Sequence, residues 1–265
     1  MIYYIKIIVL GILVTITSYL IGIASAKAGK IKVAVIDTGF DWAKKDKINL
    51  CNTGHKDFTN TSLQDNVGHG TNVSGLIHKY AKNSNYCQVI IKYFNKKKGV
   101  SPEISAKAIR HAVRLGVDFI NYSGGGLGSN KKERLAVSEA LSKGIKFIAA
   151  AGNNNDDLDY ECNYYPACYY RMQKNMIVVG SKSKILTSFP VFNYNIVTNY
   201  SNYGKVVDVW ENGNKQKALG HTLTGTSQAT AIHTGKLIRQ MYNKSTPKSC
   251  KIKRKPFMAG IVNAE

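Results

Sequence analysis

Acidic residues and proline are scarce in this sequence. It has 16 Asp and Glu residues against 37 Lys and Arg residues, a formal net charge of +21, and only 5 prolines. It contains no linker rich in Pro, Gly or Ser and no internal repeat, so a repeat protein is excluded and a division into two domains is not favoured. With 265 residues, of which 44% are hydrophobic, the chain can bury one sizeable core, and disorder is not expected despite the charge.

The excess of basic residues has two interpretations. A strongly basic surface can attract anionic membranes, nucleic acid or acidic polymers. We favour the other interpretation, a solvated surface without a dedicated partner, because the lysines are spread along the chain and are not interleaved with aromatic residues. The runs at 96–98 and 251–255 are exceptions. We expect a monomer that recognises no specific nucleic acid, with an anionic membrane surface as a candidate partner.

Cysteines are few, and none belongs to a metal-binding pattern. The five are Cys51, Cys87, Cys162, Cys168 and Cys250. There is no Cys-x-x-Cys pair and no His/Cys cluster, so no zinc site is predicted. The odd number leaves at least one cysteine unpaired. Cys162 and Cys168 are close enough in sequence to staple a short loop, and Cys51 with Cys87 is the simplest remaining pair, so both are candidate disulfides of an exported protein.

The first 26 residues have the pattern of an export signal. Lys6 is their only charged residue, the stretch 7–23 is apolar, and Ala24-Ser25-Ala26 is a small-x-small cleavage pattern. We therefore expect a signal peptide at 1–26 and a mature domain at 27–265 in a secreted or periplasmic protein. The apolar stretch is close to the length that spans a bilayer, so anchoring by residues 7–26 is the alternative if the signal is not cleaved.

Short apolar runs alternate with helical patterns in the rest of the chain. Strands are predicted at 31–36, 88–94, 118–123, 145–150 and 176–179, and helices at 72–81, 102–115, 131–143 and 226–242. Ser101 as N-cap and Pro102 in the first helical position mark the start of the second helix. The alternation predicts an α/β fold, with a mostly parallel sheet covered by helices on both faces in three layers.

Reactive side chains are expected at one edge of this sheet. Asp37, Ser123 and Asn153 each follow a predicted strand, and the carboxyl ends of parallel strands meet at one edge. Ser227 would lie at the N-terminus of the last helix. His69 stands between two glycines, which let the backbone approach a neighbour closely but do not pack a core. The set supplies what acyl transfer needs: a nucleophile, a base, an acid to hold the base, and a donor for an oxyanion.

Three motifs follow one another along the chain. They are Val35-Ile36-Asp37-Thr38-Gly39, Gly68-His69-Gly70-Thr71 and Gly225-Thr226-Ser227-Gln228-Ala229. Each alone has an ordinary explanation, such as a turn or a helix start. Together, and in this order, they resemble the motifs of the subtilase family of serine endopeptidases, and the resemblance covers nearly all of 27–265. It implies that Ser227 attacks the peptide carbonyl, that His69 is the general base, and that Asp37 orients His69.

The resemblance also assigns residues around this triad. Asn153 is implied as an oxyanion donor, with a polar turn at 153–155 as the alternative. Ser123, Gly124, Gly125 and Gly126 resemble the strand edge along which an extended substrate lies, with a flexible glycine turn as the alternative. Tyr165, in Tyr165-Pro166-Ala167, is implied to border the pocket for the residue before the cut. The segment 260–264 resembles the end of the family's catalytic domain.

The chain departs from the family pattern at several points. Ala231 replaces a usual proline, and we expect modest effects on geometry because Ala can occupy the same place in the helix at lower conformational cost. Asn72 replaces a frequent second histidine at a position outside the triad, so little is expected to change. The segment after the predicted His69 helix lacks the acidic, Asn-rich loop that binds calcium in many relatives, so no cofactor is predicted and calcium binding stays open. About ten residues separate the expected cleavage point from Asp37, so no propeptide is expected.

Two features make opposite predictions about the residue before the cut. The acids Asp156, Asp157, Asp159 and Glu161 predict a basic residue there. Tyr164 falls where the family often has a small residue, and a pocket that it fills would favour a small residue instead. A different class of function is a catalytically inactive binding protein with the subtilase fold. Such proteins usually lack a triad residue or the oxyanion Asn, and all four are present here.

Overall fold

The computed structural model describes residues 29–97, 99, 101–169, 174–185 and 194–245. The expected signal peptide, Cys250 and the segments 251–255 and 260–264 lie outside the described residues. The helices are α1 (His69–Ala81), α2 (Pro102–Arg114), α3 (Lys131–Ser142) and α4 (Thr226–Ser245), with a short 3-10 helix at Trp42–Lys47. The strands are β1 (Ile31–Asp37), β2 (Lys56–Asp57), β3 (Tyr86–Lys92), β4 (Phe119–Tyr122), β5 (Gly126–Leu127), β6 (Lys146–Ala150), β7 (Tyr164–Tyr165), β8 (Met176–Ile185), β9 (Tyr194–Val197), β10 (Val209–Asn212), β11 (Gln216–Ala218) and β12 (His221–Leu223).

A central sheet orders these strands. Its neighbours run β10-β8-β6-β4-β1-β3-β2, all paired in parallel, and β9 adds to β8 in the antiparallel direction. Two small antiparallel pairs, β5 with β7 and β11 with β12, lie outside it. The mostly parallel α/β fold predicted from the sequence is therefore confirmed.

Helices cover both faces of the sheet, and β1 shows why. Successive side chains of a strand point to opposite faces. Val33 and Val35 belong to the buried cluster that contains the apolar residues of α1 and α4, whereas Ala34 and Ile36 belong to the cluster that contains those of α2 and α3. A strand buried on both faces reads as a continuous apolar run, which is what the sequence shows at 31–36.

Local sequence patterns predicted the boundaries of some helices and strands correctly and those of others incorrectly. The Ser101 side chain accepts a hydrogen bond from the Ile104 N–H at 3.3 Å, so α2 begins where the cap predicted. β8 runs to Ile185 and not to 179, because its second half pairs with β9 and β10 through the backbone while its sequence there is polar. Among the described residues, no helix is long and apolar enough to span a bilayer.

Candidate active site

Three strand ends bring the predicted site residues to one edge of the sheet. In the order β6-β4-β1, Ile36 pairs with Tyr122 and Tyr122 pairs with Ala149. Asp37 and Ser123 are therefore the next residues on adjacent strands, and the chain from β6 reaches Asn153 just beyond the same edge. The placement expected from alternating strands and helices is the one observed.

Asp37 and His69 form a hydrogen-bonded pair at this edge. The Nδ1 atom of His69 lies 2.7 Å from Oδ1 of Asp37, and Asp37 is only 3% exposed. An ionised carboxylate can only accept, so Nδ1 carries the proton and Nε2 is the nitrogen left to act as a base. Burial alone would lower the pKa of His69, but the nearby Asp37 carboxylate, with a smaller contribution from Asp65, more than offsets this and raises it.

Glycines at both sides of His69 permit this approach. Gly68 has a φ of +86°, a left-handed conformation, and a Cβ there would lie 2.6 Å from the ring of His221. A Cβ on Gly70 would lie 2.3 Å from the carbonyl oxygen of Gly39. Gly70 therefore allows the start of α1 to lie against the end of β1, and Gly68 allows the His221 ring to approach the backbone before His69, so both glycines permit a close approach as the sequence predicted.

Asp65, which lies in none of the three sequence motifs, holds the loop that carries His69. Its Oδ1 accepts the backbone N–H groups of Val67 and Gly68 at 2.9 and 2.8 Å and the Thr38 hydroxyl at 2.9 Å. Its Oδ2 accepts the backbone N–H and the hydroxyl of Thr71 at 2.9 and 2.7 Å. The available signal was an acid shortly before the His69 motif in an acid-poor chain.

The same network reaches the strand that carries Asp37. The Thr38 hydroxyl, which donates to Asp65, accepts the N–H of Gly70 at 2.8 Å. Burial alone would raise the pKa of Asp65, but the hydrogen bonds from Thr71, Val67 and Gly68 more than offset this and lower it. Asp65 is therefore an ionised anchor that fixes the position of His69 relative to Asp37.

Ser227 lies in the first turn of α4 and is held by Ser123. The Ser227 hydroxyl donates to the carbonyl oxygen of Ser123 at 2.8 Å, and the Ser123 hydroxyl donates to the carbonyl oxygen of Ser227 at 2.9 Å. Asn121 Nδ2 also donates to the Ser123 hydroxyl, at 2.9 Å. Ser123 was predicted to contact substrate, but its buried side chain is engaged in holding Ser227, so a substrate contact by its backbone stays a prediction.

No hydrogen bond joins His69 to Ser227 among these described residues. Both nevertheless contact the ends of adjacent strands, since His69 bonds to Asp37 and Ser227 bonds to Ser123. Neighbouring strands lie about 4.8 Å apart. The serine Oγ moves between staggered positions by rotation about one bond, so its hydrogen bond to the Ser123 carbonyl does not lock it in one position.

Asn153 is oriented by the start of α4. Its Oδ1 accepts the backbone N–H of Thr226 at 2.8 Å and the Thr226 hydroxyl at 3.0 Å. A backbone N–H can only donate, so the amide oxygen faces Thr226 and the amide NH₂ faces the other way. Within the described part of the chain, no hydrogen bond is formed by this NH₂ or by the N–H of Ser227. Both donors are available to a ligand at the helix N-terminus.

The predicted substrate-binding glycines form one wall beside this site. β5 pairs with β7, and Gly126 lies opposite Tyr165. A Cβ on Gly125 would lie 2.5 Å from the ring of Tyr164, and one on Gly152 would lie 3.0 Å from it. The ring of Tyr164 therefore occupies the space between Gly125 and Gly152, and burial raises its pKa to about 12 and keeps it neutral. The peptide bond from Tyr165 to Pro166 is cis.

The acids near this wall are engaged in their own loop. Asp157 Oδ1 accepts the N–H of Asp159 at 2.9 Å, and Asp159 Oδ1 accepts the N–H of Lys205 at 2.9 Å. Neither they nor Asp156 and Glu161 line the cavity that opens beside β5. The prediction of a basic residue directly before the cut therefore gains no support from these contacts.

Both candidate disulfides are present in the structure. Cys51 pairs with Cys87, and Cys162 pairs with Cys168 in the loop that contains β7. Across the described ranges, no group of three or more His, Cys, Asp or Glu side chains is arranged to hold a metal ion.

The chain is similar in sequence to known serine proteases. A model of the subtilase family matches residues 28–254. The chain is 32% identical over 232 residues to the "Major intracellular serine protease" of Bacillus subtilis (strain 168), covering 80% of this chain and 68% of that protein. It is 31% identical to "Alkaline serine exoprotease A" of Vibrio alginolyticus, covering 74% of this chain but only 35% of that protein.

Solved structures show the same architecture. A cold-adapted subtilisin-like serine proteinase superposes with a TM-score of 0.62 at 26% identity, covering 80% of this chain and 76% of that one. A lanthipeptide protease superposes with a TM-score of 0.65 at 21% identity, covering 81% of this chain and 73% of that one, a likeness of fold.

Proposed function

The chain belongs to the subtilase family of serine-type peptidases, and from this premise we propose that it is an endopeptidase that cleaves polypeptides through an acyl-enzyme on Ser227. The observation that carries the proposal is the 2.7 Å hydrogen bond from His69 to the buried Asp37, next to the strand end that holds the Ser227 hydroxyl. This combination supports a base of fixed orientation on one strand end and a hydroxyl group of a helix N-terminus held at the adjacent strand end.

The first step transfers one proton and forms one bond. The Ser227 hydroxyl turns from the Ser123 carbonyl to His69, and its oxygen attacks the substrate carbonyl carbon as Nε2 takes the proton. Asp37 keeps the proton on Nδ1 and stabilises the imidazolium that forms. His69 then returns the proton to the leaving amine, and a water molecule repeats the sequence to release the acyl group from Ser227.

Two donors support the oxyanion in this proposal. The N–H of Ser227 lies in the first turn of α4, where backbone N–H groups lack helical partners and the helix dipole favours negative charge. The NH₂ of Asn153 faces away from Thr226, so it supplies the second donor. Donors fixed before the reaction need no reorganisation when the charge develops.

The substrate lies in extended form along residues 124–126. An added Cβ on Gly126 meets no heavy atom within 4 Å, whereas one on Gly125 would meet the ring of Tyr164, so the open part of this stretch lies at Gly126. The ring of Tyr164 fills the space between Gly125 and Gly152. We therefore propose a small residue directly before the cut, in place of the basic residue that the acids at 156–161 suggested.

The alternative function is an inactive binding protein with this fold. The observation that favours it is the hydrogen bond of the Ser227 hydroxyl, which donates to Ser123 and not to His69.

An assay for hydrolysis of an unstructured protein and of peptides by the purified chain distinguishes the two functions. Activity that Ser227→Ala abolishes supports the peptidase. The matched control is Ser142→Ala, a surface serine whose hydroxyl donates to the Glu139 carbonyl of its own helix, and it should keep full activity. Binding of peptides without hydrolysis would support the alternative.

We also propose that the protein is exported by its first 26 residues. The two disulfides support an oxidising compartment, where such bonds persist. The test is the N-terminal sequence of protein recovered from a host that exports it. A start at Lys27 in the soluble fraction supports cleavage, whereas Met1 retained in the membrane fraction supports anchoring by residues 7–26.

A further inference from the structure

A cavity of about 220 Å³ opens beside β5, the strand that follows Ser123. The cavity is lined by Gly126, by the aromatic residues Tyr93, Tyr122 and Tyr165, and by the polar side chains of Glu133 and Ser105. The cavity is far larger than the roughly 30 Å³ that one water molecule takes up in the liquid. It therefore has room for a long side chain of a ligand.

Glu133 is a buried carboxylate of this cavity, and its hydrogen-bond donors among the described residues are hydroxyl groups. It is 8% exposed. Its Oε1 accepts the Ser105 hydroxyl, in a short hydrogen bond, and the Tyr122 hydroxyl at 3.3 Å, and its Oε2 accepts the Tyr169 hydroxyl at 2.8 Å. These donors are neutral. In the part of the chain that the structure describes, no Lys, Arg or His lies within ion-pair distance of Glu133, although buried carboxylates are normally paired.

The hydroxyl groups around Glu133 leave it able to accept a further hydrogen bond. The Ser105 and Tyr122 hydroxyls also lie 2.8 Å from each other, and each has a single proton, so one can donate to the other while the second proton goes to Glu133. A carboxylate offers about four acceptor sites, and even three hydroxyl donors leave about one for a ligand. The neighbouring Lys132 does not fill this site, because it pairs with Glu103 at 3.4 Å.

The proposed function puts a substrate next to this cavity. Side chains of an extended peptide along residues 124–126 point alternately to the two sides. Tyr164 already occupies the place beside Gly125 and Gly152, so the side chain that enters the cavity belongs to a residue further from the cut. We propose that the cavity binds a Lys or Arg side chain two or more residues before the cut, and that Glu133 determines this specificity. The proposal rests on the proposed peptidase function.

The lining suits such a side chain in two ways. Tyr93, Tyr122 and Tyr165 line the cavity, so its wall offers aromatic surface against which the apolar stem of Lys or Arg can pack. The Glu133 carboxylate then accepts a charge-assisted hydrogen bond, which is stronger than one between neutral groups. Burial raises the pKa of Tyr93 and of Tyr122, so these two rings stay neutral beside the acid.

The test is a cleavage profile with peptides in which each of the five positions before the cut is varied in turn. We expect Lys and Arg to be enriched at one position other than the last. For a matched pair of peptides with Lys or norleucine at that position, Glu133→Gln should lower kcat/KM for the Lys peptide by roughly tenfold or more and leave the norleucine peptide unchanged. Glu139→Gln removes a surface acid of the same helix that pairs with Arg110 and Lys143, and it should change neither.

A binding experiment distinguishes a failure of this proposal from a failure of the proposed peptidase function. The Ser227→Ala protein should bind the Lys peptide more tightly than the norleucine peptide, and the further Glu133→Gln substitution should remove the difference. Equal binding of the two peptides, or a profile in which basic residues show no enrichment, would overturn the role of Glu133 even in an active enzyme. A chain without any hydrolysis but with charge-selective binding would refute the peptidase function and leave the cavity's specificity standing.

Discussion

Replacing Asp65 by Asn is expected to lower the free energy of unfolding by about 2–4 kcal/mol. The side chain keeps its shape, but one of its two ends becomes an NH₂ group that cannot accept. If that end faces Thr71, the N–H of Thr71 loses its acceptor, and in the opposite orientation the N–H groups of Val67 and Gly68 lose theirs. An orphaned buried donor costs roughly 1–3 kcal/mol, and the remaining hydrogen bonds weaken because the acceptor is no longer charged.

Urea unfolding measures this loss. Both proteins should carry Ser227→Ala, so that self-cleavage does not distort the curves, and Asp46→Asn serves as the matched control because Asp46 is exposed. The control should stay within about 0.5 kcal/mol of its parent. Asp65 also has a folded-state pKa below its ordinary 3.8, so its contribution is present above that pH and is lost as the pH falls through the folded value. A loss below about 0.5 kcal/mol in Asp65→Asn would refute the network's role.

Three further predictions concern the reaction. Asn153→Leu should lower turnover by roughly 10²–10³, the effect of removing such a donor from a subtilisin, and turnover within tenfold of the parent would remove Asn153 from the site. Tyr164→Gly should open the space beside Gly125, so peptides with Phe before the cut gain in kcat/KM relative to Ala peptides, and an unchanged ratio would contradict the filled pocket. His69 must be neutral to act as a base, so kcat/KM should fall as the pH drops through an apparent pKa above 6.5, and Asp37→Asn should lower this pKa and reduce turnover by roughly 10⁴. An apparent pKa that does not move in that variant would argue against the contact between Asp37 and His69.

Local sequence signals were sufficient for the four helices and for five strands of the central sheet, but not for β2, β9 and β10. The apolar run at 31–36 predicts a buried strand because both of its faces are covered, and the Ser101-Pro102 pair predicts the start of α2 because it satisfies the first turn. The length of β8 was underestimated. The strand continues to Ile185 because its backbone pairs with β9 and β10, although the side chains there are mostly polar.

The candidate site was predictable only where a residue sits in a motif. Asp37, His69 and Ser227 lie in short contexts that resemble a family, so their positions could be named from the sequence. Asp65 and Glu133 act through partners that lie on other elements, such as Thr38 for the first and Ser105 for the second. Their contacts depend on how those elements pack, and no spacing along the chain reports that.

Labelling with a fluorophosphonate probe tests the central claim most directly, because such a probe reacts with a serine hydroxyl activated by a neighbouring base. We predict stoichiometric labelling of the purified protein, mapped by mass spectrometry to Ser227, and loss of labelling in Ser227→Ala and in His69→Ala. A folded protein that stays unlabelled, or one that is labelled equally well without His69, would contradict the account.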